Sequence, residues 1–269
     1  MKRLFAVLVI SCLVVLGVGS LTGCQQTSDK LIVAMELAYP PFETKDDAGN
    51  PAGVSVDFVK ALGAYLGREV EIVNTAWDGL IPSLQTGKAH IVVSSMTITE
   101  ARRQEVDFSD PYANSLLAIL ANKDSGIAGI DDLNQPGKKV AVKTGSTGHL
   151  YALDNLKNAE VIVLADESAC VVEVAQGKAD GFLYDQLTIY RNNQNHPDTT
   201  VAVYIPFQDV EPWGVAVKKG DTGLLDDINL FIKKYTAEGG FDALTDKHLK
   251  EEKKAFTELG FQWFFDLNH

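Results

Sequence analysis

The chain has 269 residues, of which 46% are hydrophobic and 22% charged, enough apolar content for one large core or two ordinary ones. A formal charge of −12 excludes the phosphate backbone of nucleic acid and anionic lipid surfaces as electrostatic partners. The balance of apolar and charged residues likewise excludes a disordered or fibrous chain.

The N-terminus reads MKRLFAVLVISCLVVLGVGSLTGC. Lys2 and Arg3 precede an apolar run from Leu4 to about Val18, and small residues follow. This is the pattern of a secretory signal peptide over residues 1–23, too short for a confident membrane span. Leu21-Thr22-Gly23-Cys24 resembles the bacterial lipobox, which implies that Cys24 is diacylated and becomes the first mature residue. The mature chain is then extracytoplasmic, held to a membrane by lipid alone through a short polar linker over residues 24–29. Cys12 leaves with the leader and Cys24 carries lipid, so Cys170 has no partner and no intramolecular disulfide is expected.

From residue 31 the hydrophobic pattern alternates strand and helix. LIVAM (31–35) reads as a strand, and Val54, Phe58, Leu62, Tyr65 and Leu66 recur at helical spacing before Gly67. EIVN (71–74) is a second strand, WDGLIPSLQT a short helix and HIVVSS (90–95) a third strand. This order predicts α/β structure with a parallel sheet. After LLAILAN (116–122) the pattern restarts with KVAVKT (139–144), a helix over about 147–157, VIVLA (161–165), a helix over 167–176, and GFLYD (181–185). Two similar lobes are implied.

An internal echo supports the repeat. LQTGKAHIVVSS (84–95) and VAQGKADGFLYD (174–185) each run from a helix end through Gly-Lys-Ala into an apolar strand. Gly87 lies eight residues before Ser95, and Gly177 eight before Asp185. If glycine ends each helix, Ser95 and Asp185 stand at the carboxyl ends of strands in different lobes, the edge where open α/β sheets bind ligands.

SSMTITEARRQEVDFSDPY (94–112) follows the first of these strands. Ser94, Ser95, Thr97 and Thr99, an exposed Met96, the N-H groups of a helix start and the guanidinium of Arg102 make a set suited to an anion, most naturally a carboxylate. The same residues also suit an N-capped surface helix with solvated arginines.

Six stretches, YPPFET (39–44), DGLIPSLQTGK (78–88), SSMTITEARRQEVDFSDPY, VAVKTGSTG (140–148), ADGFLYD (179–185) and PWGVAVKKGD (212–221), resemble the polar amino-acid solute-binding proteins of bacterial ABC importers, in order and spacing over nearly all of the mature chain. The resemblance implies the two-lobed periplasmic-binding-protein fold of type II. Lobe one would hold residues 30–113 and 215–269, lobe two 114–214, with hinge crossings near Ala113 to Leu117 and Pro212 to Ala216.

The resemblance also implies roles. Arg102 pairs with the ligand's α-carboxylate, oriented by Ser95, Thr97 and the backbone at Met96. Asp185 receives the α-ammonium, helped by Ser146 and Thr147, although Asp185 also suits a helix N-cap. Tyr39 and Trp77 wall the side chain, while Glu36 and Lys143 read its end, which leaves glutamine and a basic amino acid both open. An acidic residue remains at Asp57 where GVSVDF (53–58) departs from the family pattern, a change expected to concern lobe packing.

Phe256, Phe261, Trp263, Phe264 and Phe265 in the unusually aromatic tail are expected to wrap onto lobe one. The five histidines show no ligand spacing, so neither metal nor cofactor is expected. The implied protein is a monomeric receptor that delivers its amino acid to a membrane permease and is not an enzyme. An amino-acid sensor using the same pocket and a dehydratase of prephenate-like acids on the same scaffold are the alternatives.

Overall fold

The computed structural model describes residues 30–204 and 209–267; the leader, Cys24 and the linker lie outside them. In chain order the first part contains β1 (Leu31–Met35), a small hairpin of β2 (Thr44–Lys45) and β3 (Pro51–Ala52), α1 (Val54–Leu66), β4 (Val70–Asn74), a 3-10 turn (Trp77–Gly79), α2 (Leu80–Gln85), β5 (Ile91–Val92), α3 (Glu100–Glu105) and β6 (Val106–Phe108). The chain then passes through β7 (Ala113–Ser115) into β8 (Leu117–Asn122), α4 (Ile130–Leu133), β9 (Lys139–Lys143), α5 (Thr147–Asn155), β10 (Glu160–Leu164), α6 (Glu167–Ala175), β11 (Gly181–Asp185), α7 (Gln186–Asn195) and β12 (Thr200–Val203). It returns through β13 (Glu211–Trp213) to β14 (Ala216–Lys218), α8 (Thr222–Ala237), α9 (Gly240–His248) and α10 (Lys250–Glu258).

Two five-stranded sheets result, ordered β4-β1-β5-β14-β6 and β10-β9-β11-β8-β12. The orders correspond strand for strand. In each, three parallel strands are followed by one antiparallel to both of its neighbours, β14 or β8. The sheets are therefore mixed, not parallel as the alternation predicted. The reason lies in the crossings: β8 and β14 each follow a crossing strand and so start at the edge where β1, β5, β9 and β11 end. The crossing strands β7 and β13 pair with each other, Ala113 opposite Trp213 and Ser115 opposite Glu211.

Strand periodicity sorts side chains onto two faces of each sheet. Leu31, Val33 and Met35 enter one core cluster with Phe58, Leu62 and Phe231, whereas Ala34 packs with Leu80, Leu84 and Val92 on the opposite face. In the second sheet Val140, Val142 and Leu183 face one cluster, and Ala141, Phe182 and Cys170 the other.

The echoed segments fold alike. Gly87 and Gly177 have φ of 72° and 69°, the left-handed conformation that glycine adopts without a Cβ clash. Behind them, Lys88 N-H donates to Ser83 O and Lys178 N-H to Glu173 O, both at 2.9 Å. The first strand is shorter than predicted: β5 ends at Val92, and Ser95 takes φ 48°, incompatible with a continuing ladder. Asp57, on α1, accepts hydrogen bonds from Lys247 Nζ and His248 Nε2 of α9, both at 2.6 Å, a helix-to-helix tie away from the cleft. Among the described residues no helix is long and apolar enough to cross a membrane.

The aromatic tail packs as expected and reaches further. Phe256, Trp263 and Phe264 join the main core cluster of the first sheet, and Phe264 O accepts from Asn114 N-H on the crossing strand at 2.7 Å. Phe256 and Phe261 also meet Tyr190 and Tyr204 of the second part, at centroid distances of 6.0 and 4.8 Å. Because Phe264 is fully buried against Phe42, Trp213 and Phe256, Phe264→Ala is expected to cost about 3–5 kcal/mol, read as a lowered urea midpoint with unchanged slope.

Candidate ligand-binding site

The carboxyl-end edges of the two sheets face each other across a cleft lined by residues from both. From the first part come Tyr39, Trp77, Ser94, Ser95, Thr97 and Arg102; from the second, Leu117, Ser146, Thr147, Tyr184 and Asp185; from the returning crossing, Glu211 and Trp213. Eight of the eleven positions expected from sequence line the cleft. Met96, Glu36 and Lys143 do not.

Arg102 projects from α3, whose N-cap Thr99 accepts the Arg102 backbone N-H through Oγ1 at 3.2 Å. The residue is only 8% exposed, and its guanidinium donates to Thr97 O at 2.7 Å and across the cleft to Gly145 O at 3.1 Å. Burial lowers its pKa to about 10, with nearby Glu211 acting in the opposite sense, so Arg102 remains a cation at neutral pH. Arg103, the next residue, is exposed.

Asp185 ends β11 and caps α7. Its Oδ1 accepts from Leu187 N-H (2.9 Å), Thr188 N-H (3.1 Å) and the Tyr39 hydroxyl of the other side (2.8 Å). Burial raises its pKa, against the hydrogen bonds from Thr188, Tyr39 and Leu187. The capping role weighed from sequence is thus present, and the same carboxyl group lines the cleft.

The hydroxyls are more committed than the sequence suggested. Thr97 Oγ1 and Thr147 Oγ1 donate to Glu211 Oε2 from opposite sides, at 3.3 and 2.8 Å. Ser146 Oγ caps α5 by accepting His149 N-H at 3.2 Å. Ser95 Oγ lies 3.0 and 3.1 Å from the two carboxyl oxygens of Glu43. Ser94, counted from sequence among the hydroxyls suited to an anion, accepts Glu36 N-H through Oγ at 3.0 Å.

Met96 corrects the expectation of exposure. Its side chain is 2% exposed and packs with Leu80, Leu84 and Phe108, because the left-handed turn at Ser95 sends the next residue into the core. Its backbone does serve the site's framework: Met96 O accepts Gly214 N-H at 3.2 Å.

Glu36 and Lys143 form an ion pair between the two parts, beside the cleft. Glu36 Oε1 also accepts Trp77 N-H at 3.3 Å. The Trp77 ring has Lys143 Nζ and Arg102 Cζ each 5.3 Å from its centroid, within cation-π range. Tyr39, the other expected wall, stacks on Phe42 at 5.5 Å and meets Trp213 edge-on at 6.1 Å.

Sequence reasoning missed Glu211, Tyr184, Trp213 and Leu117 as cleft residues. Trp213 lay within a quoted motif and Glu211 immediately before it, but neither periodicity nor charge pattern distinguishes a crossing residue from a surface one. Tyr184 precedes Asp185 on a strand, and strict alternation directs it away from its neighbour's face.

Among the described residues no group of three or more histidine, cysteine or carboxylate side chains could hold a metal ion. The cleft offers a buried cation on one side and a buried carboxyl group on the other, with aromatic walls between. That arrangement complements a small molecule carrying both charges.

The sequence profile of the bacterial extracellular solute-binding proteins, family 3, matches residues 31–251. A probable histidine-binding protein of Neisseria gonorrhoeae is 32% identical over 223 residues, covering 82% of this chain and 83% of that protein. The ABC transporter glutamine-binding protein GlnH of Bacillus subtilis (strain 168) is 31% identical over 232 residues, covering 84% and 83%. Among solved structures, the ancestral amino acid-binding protein AncCDT-1, a precursor of cyclohexadienyl dehydratase, superposes with a TM-score of 0.75 at 38% identity, over 81% of this chain and 94% of that one. These relatives are named as binding proteins, and the first sheet, second sheet and crossings all fall within the matched span. The chain belongs to the bacterial extracellular solute-binding proteins, family 3.

Proposed function

We propose that the protein is a receptor for a polar L-amino acid, which it captures between two lobes and delivers to the permease of an ABC transporter. The observation that carries this is the placement of Arg102 and Asp185, a buried cation and a buried carboxyl group, on opposite sides of one cleft. The α-carboxylate is assigned to Arg102, with Ser95, Thr97 and the Met96 backbone, and the α-ammonium to Asp185, with Ser146 and Thr147. Tyr39 and Trp77 flank the side chain. Relatives named for histidine and glutamine support an amino-acid ligand.

The lobes are residues 30–113 with 215–269, and 114–214. Closure pivots on the paired crossings near 113–117 and 212–216, a hinge-type switch in which the ligand favours the closed state by contacting both sides. Cys24, through its lipid, tethers the receptor outside the cytoplasmic membrane.

The Glu36-Lys143 pair bears on which amino acid is bound. A cationic ligand end would have to compete with Lys143 for Glu36, whereas a neutral amide can accept from the ammonium and donate to the carboxylate without separating them. This favours glutamine over arginine or lysine.

Four outcomes are expected. Truncating one member of a buried charge set costs roughly 2–5 kcal/mol, so Arg102→Ala should weaken amino-acid binding by about 30-fold to several thousand-fold in calorimetry. Arg103→Ala, one residue away and exposed, should change it by less than about 1 kcal/mol, and the reverse ranking would reject the assignment. Lys143→Met should release Glu36 and move preference from glutamine toward arginine or lysine by about tenfold or more, as expected for a charge pair worth over 1.4 kcal/mol; unchanged ranking would mean that the pair does not select. Cys24→Ser should yield protein without acyl chains by intact mass; an unacylated Cys24 in wild-type protein would remove the anchor from the reading.

A further inference from the structure

Glu43 is completely enclosed, 0% exposed, directly beneath the hydroxyl loop of the cleft. Its backbone is fixed by reciprocal hydrogen bonds with Tyr39, N-H to O at 2.8 and 2.9 Å. Its carboxyl group meets two hydroxyls. Ser55 Oγ, at the start of α1, bonds Oε1, and Ser95 Oγ lies 3.0 Å from Oε1 and 3.1 Å from Oε2. Glu43 forms no ion pair among the described residues. The cation that acts on Glu43, Lys143, is bonded to Glu36, whose own carboxylate adds to the negative potential at Glu43; the enclosed phenol of Tyr112 also neighbours it.

A carboxylate without water or cation is costly, and a group so placed takes up a proton instead. Hydrogen-bond arithmetic then limits where the protons can go, with the buried hydroxyl of Tyr112, unpartnered among the described residues, as a further neighbour of the pair. Ionised, Glu43 only accepts, and the hydrogens of both Ser55 and Ser95 must point at it. Neutral, Glu43 has one hydrogen to give. Oε1 accepts from Ser55, and Ser95 Oγ is the acceptor beside Oε2.

We infer that Glu43 is a neutral carboxylic acid and a positioning residue: it donates its O-H to Ser95 Oγ, leaving the Ser95 hydroxyl hydrogen free for a carboxylate in the cleft, and ionising it turns that hydrogen back into the core. Ser95 lines the cleft and is the one described non-glycine residue with positive φ, at 48°, a conformation that a serine rarely adopts and that places its Oγ against the Glu43 carboxyl group. The pKa agrees in direction and range. Burial raises it to about 8, opposed by the hydroxyls of Ser55 and Ser95 and by Lys143, and assisted by Glu36. The neutral form therefore prevails below about pH 8, and the donor to the cleft is withdrawn above it.

The positioning role rests on the amino-acid reading above, and two measurements separate them. The first needs no ligand. Infrared difference spectra of wild type against Glu43→Gln should show a protonated-carboxyl stretch at pH 7 that disappears as the pH passes through about 8. Its absence at pH 6 would overturn the inference outright. The second is calorimetry with L-glutamine and L-arginine from pH 6 to 9.5, read as the ratio of wild type to Glu43→Gln, so that titration of the ligand's ammonium cancels.

Below pH 7 the two proteins should agree within about threefold, because an amide donates to Ser95 as the acid does; wild type should be weaker by about threefold at pH 8.5 and by nearly tenfold at pH 9.5, as ionisation approaches completion and one hydrogen bond to a charged group is lost. Ser95→Ala should bind more weakly and show no such divergence. A ratio that stays flat would overturn the positioning role even if the stretch is present. Absence of binding to either amino acid, with the stretch present, would overturn the glutamine-or-arginine reading and the positioning role with it, while the neutral acid stands.

Discussion

Everything at the cleft is arranged around one buried guanidinium. A cation as enclosed as Arg102 is tolerated only where acceptors replace its water, and here they come from two separate pieces of chain. Thr97 O belongs to the loop that precedes α3 and Gly145 O to the loop before α5, while the Glu211 carboxylate of the returning crossing favours the cation through its charge. Glu211 in turn holds the hydroxyls of Thr97 and Thr147. The cation thereby ties both sheets and the connection between them into one network.

Sheet topology explains why such a network is possible. Duplicated strand order places equivalent strand ends at facing edges, so a residue that ends β11 meets residues that follow β1 and β5. The antiparallel fourth strand of each sheet starts at the same edge because it emerges from a crossing. Crossings, strand ends and helix starts therefore converge on one small volume, where backbone N-H and C=O groups left outside the ladders need partners.

Much of this was legible in the sequence, and for identifiable reasons. GFLYD was read with its observed bounds because glycine, an apolar run and a terminal acid mark both ends of a buried strand. The helix ending at Leu66 was fixed by Gly67, and the echo around Gly87 and Gly177 corresponds to matching caps. HIVVSS misled because β-rich composition does not reveal that Ser95 turns left-handed, with its hydroxyl against Glu43 of a distant segment. The same turn goes with the burial of Met96. Glu43 and Glu211 escaped notice since their importance arises from burial and partners 52 to 114 residues away, to which local pattern is blind.

The cleft is also continuous with the aromatic core, which gives the unusual tail a structural relation to the site. Tyr39 donates its hydroxyl to Asp185 while its ring stacks on Phe42, with an interplanar angle of 8°. Phe42 meets Trp213 at 5.2 Å and Phe264 at 5.5 Å, and Trp213 lines the cleft. Offset and edge-on ring contacts hold their partners in defined orientations as well as burying area. Phe264 thus supports, through Phe42 and Trp213, the two rings that set the cleft's wall and the Tyr39 hydroxyl that binds Asp185. Since the tail also touches Tyr190 and Tyr204 on the other side of the crossings, the same aromatic cluster that stabilises the first sheet constrains how far the two sides can separate.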